Sequence, residues 1–231
     1  MEETIVQGSG PYKVVFACGG TLVDSRDGKT YATVQIGDQC WMADNLRYTT
    51  STCLSADWNT SAPLNACREH STSWGTEVLY QWGAAMNGSI TPGDQGLCPV
   101  GWYIPTHDDI TTLERYVCNA AGNSNCATNF PFDTTTTGWR GTNEGDRLKS
   151  SNPYWCNNAT GCASSEFNKK PAGSRNSSGS LSFVGSFGYW WSSSPSGSNA
   201  WRRFLSSGYS DVNRWTGSQA YGYSVRCLLG Q

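Results

Sequence analysis

Ten cysteines and two histidines are the side chains with the widest chemical reach in this 231-residue chain, and their spacing decides what they can do. A zinc site draws on C-x-x-C ligand pairs, usually with histidine. This chain has no C-x-x-C, and His70 and His107 stand far apart in sequence. Cys53 with Cys67, Cys118 with Cys126, and Cys156 with Cys162 instead bracket short polar loops such as "CNAAGNSNC" and "CNNATGC". Such loops have nothing apolar to bury, so a covalent clip is the expected way to order them. Cys18, Cys40, Cys98 and Cys227 remain and can pair among themselves in three ways. Oxidised disulfides are therefore expected in place of metal, which implies an exported protein, extracellular or at the cell surface. No metal and no cofactor is expected.

Nucleophilic catalysis finds no support either. No G-x-S-x-G elbow is followed by partners for a triad, and "GSLSF" is only serine-rich sequence. His107 falls in the first turn of an expected helix, where a surface role is the reading. The last forty residues point to recognition instead. "AWRRFLSSGYSDVNRWTGSQAYGYSVRC", residues 200–227, interleaves aromatics and Arg with Ser, Gly and Asn. Surfaces that recognise varied partners use Tyr and Trp as rigid contact area and Ser, Gly and Asn as small adaptable spacers. Residues 188–223 have that composition.

Bulk composition bounds the partners. Charged residues are 15% of the chain, below the roughly 25% of globular proteins. Eleven Trp and eleven Tyr argue against disorder. Residues 1–170 carry 11 basic and 17 acidic side chains, and residues 171–231 carry five Arg against Asp211 alone. Five Arg without Lys make a weak basic patch, so no nucleic-acid partner is expected. No apolar run approaches the roughly 18 residues of a membrane span. The opening "MEETIVQGSGPYKVVFACGG" lacks the basic start and apolar stretch of a signal peptide. The expectation is that an export signal is missing from the given chain, and that any membrane anchor is a segment absent from it.

The elements that must position these residues read as one α+β domain over 24–231, after an N-terminal extension over 1–23. "DGKTYATVQIGDQCWM" alternates Tyr31, Thr33 and Gln35 with Ala32, Val34 and Ile36 after an Asp-Gly turn, a hairpin pattern. "TEVLYQWGAAM" spaces Leu79, Trp82, Ala85 and Met86 by three and four, which predicts a short helix. Thr106 and Asp109 form an acidic capping box that opens a second helix, with Ile110, Leu113 and Val117 as its apolar stripe up to Cys118. Residues 122–180 read as long loops ordered by their disulfides. From Phe183 onward, "FGYWWSSS", "AWRRFLSS", "YSDVNRW" and "YGYSVRCLL" predict short antiparallel strands with aromatics on both faces. The expected architecture is two helices packed on short antiparallel strands with long disulfide-clipped loops.

Six segments in series, "IGDQCWMADNLRY", "LYQWGAAM", "GLCPVGWYIPTHDDITTLERY", "GYWWSSS", "SNAWRRFL" and "YGYSVRC", resemble the Fibrobacter succinogenes major paralogous domain over residues 24 to 229. That family is similar in turn to the formylglycine-generating-enzyme branch of the C-type lectin fold. The resemblance implies a lectin-like scaffold in a surface or secreted protein. It also implies kinship with variable proteins of diversity-generating retroelements, whose C-terminal strands and loops carry a randomised binding face. The partner would be a protein or glycan on a cell or virus surface, and "VRC" resembles the invariant end of such variable regions. The cysteine-rich insertions and Cys18 and Cys40 depart from the usual pattern and bring an archaeal or viral subgroup into view. Against this background Cys18–Cys40 and Cys98–Cys227 are the expected long-range pairs, with Cys227 matching the structural cysteine of the family's last strand.

Rewriting the adenines of AAC or AAT codons yields Ser, Gly, Tyr, Asp, Asn, Phe and Arg among others, but never Trp, Lys, Glu, Gln or Met. Ser196, Ser198, Arg202, Phe204, Ser206, Gly208, Tyr209, Asp211, Asn213, Tyr221 and Tyr223 are therefore admissible variable, ligand-contacting positions within about 188–227. Trp190, Trp191, Trp201 and Trp215 are expected to be scaffold. The competing reading is ordinary strands and polar turns in a fixed surface adhesin or carbohydrate-binding module. The formylglycine-generating enzymes use paired cysteines in the strand that here reads "AWRRFL", so their oxidase activity is not expected. Calcium-dependent lectins of this fold use EPN or QPD with WND. Neither motif occurs, and "DWNT" at 57–60 is the nearest fragment. Asn59, Asn87, Asn158 and Asn176 open N-x-S/T sequons, which suit exposed loops.

Overall fold

The structure, a computed structural model, describes residues 16–58, 64–156 and 161–230. Of the extension expected over 1–23, residues 16–23 are described, and Thr21–Val23 form a strand of the main sheet; the sequons at Asn59 and Asn158 lie outside the described residues. Strand β1 (Thr21–Val23) turns through Asp27 and Gly28 into β2 (Thr30–Ile36), which turns through Gly37 and Asp38 into β3 (Gln39–Met42). Gly28 and Gly37 sit at φ 72° and 61°, the left-handed region these tight turns need. The expected hairpin is therefore one half of a three-stranded meander. Both of its faces are covered, with Tyr31 and Met42 in one core and Val34, Ile36 and Trp41 in another.

One helical turn, α1 (Ser51–Ser55), precedes the hairpin of β4 (Cys67–Thr72) and β5 (Gly75–Tyr80). The helix expected in "TEVLYQWGAAM" is mostly this β5 strand, and only the single turn α2 (Trp82–Ala85) is helical. Pairing with β4, anchored by the Cys53–Cys67 disulfide, overrides the three-four spacing. With Val78, Leu79 and Tyr80 all buried, a short apolar run carries no period to tell helix from strand.

After β6 (Trp102–Tyr103) comes α3 (His107–Ala120), the one helix longer than five residues among those described. Its start is the expected capping box: the Asp109 backbone N–H donates to Thr106 Oγ1 at 3.1 Å, and the Thr106 N–H donates to Asp109 Oδ2 at 2.8 Å. Ile110, Leu113 and Val117 are buried, but so are His107, Thr111 and Glu114 along a second stripe. Residues 122–180 are not all loop. They hold α4 (Cys126–Asn129), β7 (Gly138–Arg140), α5 (Glu144–Leu148) and β8 (Ser174–Arg175). Among the described residues the helical content is thus one long helix and four single turns, not two packed helices, and the protein is a mixed fold dominated by sheet.

The chain closes with β9 (Leu181–Ser182), β10 (Phe187–Ser196), β11 (Asn199–Ser206), β12 (Val212–Ser218) and β13 (Leu228–Leu229). Of "YGYSVRCLL" only Leu228 and Leu229 are regular strand, while Tyr223 and Ser224 make isolated bridges to Tyr80 and Trp190. An antiparallel five-stranded sheet runs β1-β2-β3-β13-β6, and an antiparallel four-stranded sheet runs β10-β11-β12-β7. Because side chains alternate along a strand, Trp190 enters one core and Trp191 the other. The five disulfides are Cys18–Cys40, Cys53–Cys67, Cys98–Cys227, Cys118–Cys126 and Cys156–Cys162, the pairing expected from sequence.

His107 is not a surface residue. Its ring is buried against Trp201, with centroids 4.2 Å apart. Nε2 lies 2.8 Å from the Asp133 carbonyl and so must donate, which leaves Nδ1 to accept from Arg203 Nη1 at 3.4 Å. Burial first, then Arg203 and Arg214, push the imidazole down to about 3, against the opposing pull of Asp133. Above pH 6.5, the ordinary histidine value, the ring is neutral in folded and unfolded chains alike, and its contribution is complete. As pH falls from there toward 3, only the unfolded chain takes up the proton, so stability declines by roughly 1.4 kcal/mol per pH unit. Urea melts across this range should show a shallower decline for His107→Gln than for wild type. Parallel slopes would contradict the neutral, buried ring.

Candidate functional site

The β10-β11-β12-β7 sheet presents two chemically different faces. Toward α3 it sends Trp190, Trp201, Arg203, Leu205, Val212 and Arg214, all buried. The Arg203 guanidinium grips Glu114 with Nε–Oε1 2.6 Å and Nη2–Oε2 3.2 Å. Arg214 donates to the carbonyls of Pro131 and Asp133. Arg226, just before β13, is also fully buried. Three of the five C-terminal arginines are therefore structural and contribute nothing to a basic surface.

The opposite face is aromatic. Register places Tyr189, Phe204, Asn213 and Trp139 in one row across all four strands, with Trp191, Arg202 and Trp215 in the next. Phe204 sits at the centre, its ring 5.0 Å from Tyr189, 5.8 Å from Phe187 and 5.1 Å from Trp139. Trp139 in turn stacks on Tyr209 at 4.3 Å, and Phe183 extends the row beyond Phe187 at 5.2 Å. Offset and edge-on rings at these separations gain beyond their buried area. The row ends in exposed rings, since Phe183 and Tyr209 are each about half exposed, as is Trp215 in the next row.

Arg202 rises within this surface. Its guanidinium carbon lies 5.1, 4.8 and 5.2 Å from the rings of Tyr189, Phe204 and Tyr223, a threefold cation–π contact. Nε and Nη1 are shielded from solvent and have no hydrogen-bond partner among the described residues.

The expected contact residues divide by burial. Ser196 and Ser198 are exposed at the β10–β11 turn, Gly208 and Tyr209 at the β11–β12 turn, and Tyr221 beyond β12. Arg202, Phe204 and Asp211 are half-buried. Burial, together with the neighbouring Glu144 and Asp146 carboxylates, pushes the Asp211 carboxyl up. Ser206, Asn213 and Tyr223 are instead buried, so they are not free contacts. The Ser206 hydroxyl caps the turn by accepting from the Gly208 N–H at 3.1 Å, and Tyr223 lies beneath Tyr189 and Trp191. Trp190, Trp191 and Trp201 are buried as expected of scaffold, but Trp215, on the same face as Arg202, is about half exposed.

Sequence reading missed Phe183, Phe187, Tyr189 and Trp139 as members of this surface. The two-residue spacing of Phe187, Tyr189 and Trp191 carried a usable signal for one face. Trp139 carried none, since β7 is three residues long and pairs with a strand more than seventy positions away.

No cysteine is free, and His70 and His107 each bond a backbone carbonyl, of Ala172 and Asp133. Among the described residues no group of three His, Cys, Asp or Glu side chains could hold a metal ion. Of "DWNT", Trp58 packs between Arg68 and Arg175 and donates its Nε1 hydrogen to the Asn176 carbonyl at 2.8 Å. No helix among the described residues is long and apolar enough to cross a membrane.

Neither a curated protein nor a solved structure matches the chain. A protein-family match covers residues 34–228, from within β2 to the first residue of β13, and thus the whole β10-β11-β12-β7 sheet with its aromatic face and the five-stranded sheet apart from β1 and the start of β2. The chain belongs to the Fibrobacter succinogenes major domain family.

Proposed function

We infer that this protein is a non-enzymatic, extracellular binding module of C-type lectin fold, related to the formylglycine-generating-enzyme branch. Its recognition surface is the aromatic face of the β10-β11-β12-β7 sheet, and retroelement diversification acts on the exposed positions around it. The observation that carries this reading is the cross-strand aromatic row with Arg202 set among its rings. Rigid rings lose little conformational entropy on binding, and the exposed Ser196, Ser198 and Gly208 flank them as small spacers. The five disulfides suit an oxidising compartment. The ligand is a protein or glycan on a cell or virus surface.

A fixed adhesin or carbohydrate-binding module is the second reading. The burial of Ser206, Asn213 and Tyr223 favours it, because randomising a core position costs folding. The two readings part at the gene. Diversification requires an adjacent reverse transcriptase and a near-copy of the last coding segment differing only at adenines.

Binding to the aromatic face is tested by screening the protein on a glycan array and a displayed peptide library, then titrating the best binder against variants. Tyr209→Ala should weaken binding about tenfold or more, as expected of an exposed contact tyrosine that acts as a hot spot. Unchanged affinity in both Tyr209→Ala and Arg202→Gln would remove the sheet face from the reading.

A further inference from the structure

Away from the aromatic row, four polar side chains from distant parts of the chain converge out of reach of water. They are Asn45 after β3, Glu77 on β5, Lys169 before β8 and Arg226 before β13, none more than 1% exposed. Lys169 Nζ lies 2.9 Å from Asn45 Oδ1, and Arg226 Nη2 donates to the same oxygen at 2.9 Å. On the other side of the amide, Asn45 Nδ2 donates to Glu77 Oε2 at 2.7 Å. The Trp190 ring stands 5.3 Å from the Lys169 nitrogen, and the Phe167 ring stacks under Arg226 at 4.4 Å. Lys170 reaches the rim of this cluster, 3.3 Å from Asp44 and 3.7 Å from Glu77.

The Lys169 nitrogen makes one hydrogen bond among the described residues, to Asn45. As an ammonium it would leave two protons unbonded beside a second buried cation. Burial first, then Arg226, hold the amine well below the usual lysine range, against the opposing pull of Glu77. A neutral buried amine is a nucleophile. The group it touches is an amide with a cation on its oxygen and a carboxylate on its nitrogen.

We propose that Lys169 and Asn45 form a spontaneous side-chain amide cross-link, with Arg226 and Glu77 as the residues that promote it. The Lys169 nitrogen lone pair attacks Asn45 Cγ, and the carbonyl electrons move onto Oδ1, where the Arg226 N–H stabilises the developing charge. The Glu77 carboxylate takes one proton from the attacking nitrogen and delivers it to Nδ2. The Cγ–Nδ2 bond breaks, ammonia leaves, and an Nζ–Cγ amide remains. Atoms and electrons balance with no oxidant, reductant or cofactor. Holding amine and amide within hydrogen-bond reach supplies the proximity that the same reaction lacks in solution. Exclusion of water removes hydrolysis as a competitor. The link closes a loop of 124 residues and, unlike the disulfides, survives reduction.

The test is the intact mass of the full chain, folded, then denatured and fully reduced. Wild type should be lighter than its sequence by one ammonia, and digestion should release a branched peptide joining Lys169 to Asn45. Lys169→Met should have its full sequence mass. Glu77→Gln, which keeps volume and a hydrogen-bonding side chain, should slow the loss of ammonia by about a hundredfold or more. Full mass in folded wild type overturns the proposal without need of any variant. Ammonia loss that maps elsewhere, such as a succinimide at Asn87-Gly88, overturns it equally. Cross-linking at an undiminished rate in Glu77→Gln overturns the role assigned to that carboxylate.

Discussion

Glu114→Ala is expected to destabilise the protein by roughly 3–5 kcal/mol, the cost of stranding one member of a buried ion pair. Glu114 and Arg203 are both wholly shielded from solvent, and two hydrogen bonds join them between α3 and β11. Without the carboxylate, Arg203 keeps only contacts of 3.4 Å to His107, Thr111 and the Arg202 carbonyl. A guanidinium held that weakly in an apolar interior pays most of its desolvation penalty. Denaturant melts at neutral pH measure the loss. The double variant Glu114→Leu with Arg203→Leu should recover much of it, since a well-filled apolar pair replaces a buried ionic one at little cost. A single variant that melts within about 0.5 kcal/mol of wild type would show that the pair is not buried as described.

Trp201→Ala should cost a comparable 3–5 kcal/mol. Trp201 is 3% exposed and packs on the His107 ring, with the Arg214 guanidinium 5.5 Å from its own. Truncation removes apolar burial and opens a cavity between β11 and α3. Tyr209→Ala, on the opposite and open side, should change stability by roughly 0.5 kcal/mol or less. Thermal melts of the two variants side by side assign the faces of the sheet. If the Tyr209 variant unfolds and the Trp201 variant melts like wild type, the two faces are inverted and the aromatic row cannot be the recognition surface.

These two results bear on how the protein separates stability from recognition. One sheet serves both roles because strand alternation sends neighbouring residues to opposite sides. Arg202 and Arg203 show it most plainly: adjacent in sequence, one is set among rings at the open face and the other is locked onto Glu114. Variation at Arg202 or Tyr209 therefore leaves the α3 interface untouched, whereas variation at Arg203 or Trp201 reaches the core.

Much of the scaffold was legible in the sequence because its signals act over a few residues. Asp27-Gly28 and Gly37-Asp38 demanded left-handed turns, Thr106 and Asp109 capped the one long helix, and polar loops between nearby cysteines announced their clips. The spacing of Phe187, Tyr189 and Trp191 held a signal for one face of β10 that the sequence reading did not use. What lay beyond reach were outcomes of sheet order. Nothing local marks Gly138–Arg140 as the edge strand that brings Trp139 against Phe204 and Tyr209. Nothing local tells that His107 and three arginines are interior, because a charge enters a core only where a distant partner meets it. Arg226 and Asn45 are 181 residues apart and touch only once β13 has paired with β3. Composition, turns, caps and the three local disulfides were determined by the sequence read along the chain. The convergence of Lys169, Asn45, Glu77 and Arg226, and the row of rings across four strands, were decided by tertiary pairing alone, since each depends on contacts that no short-range preference encodes.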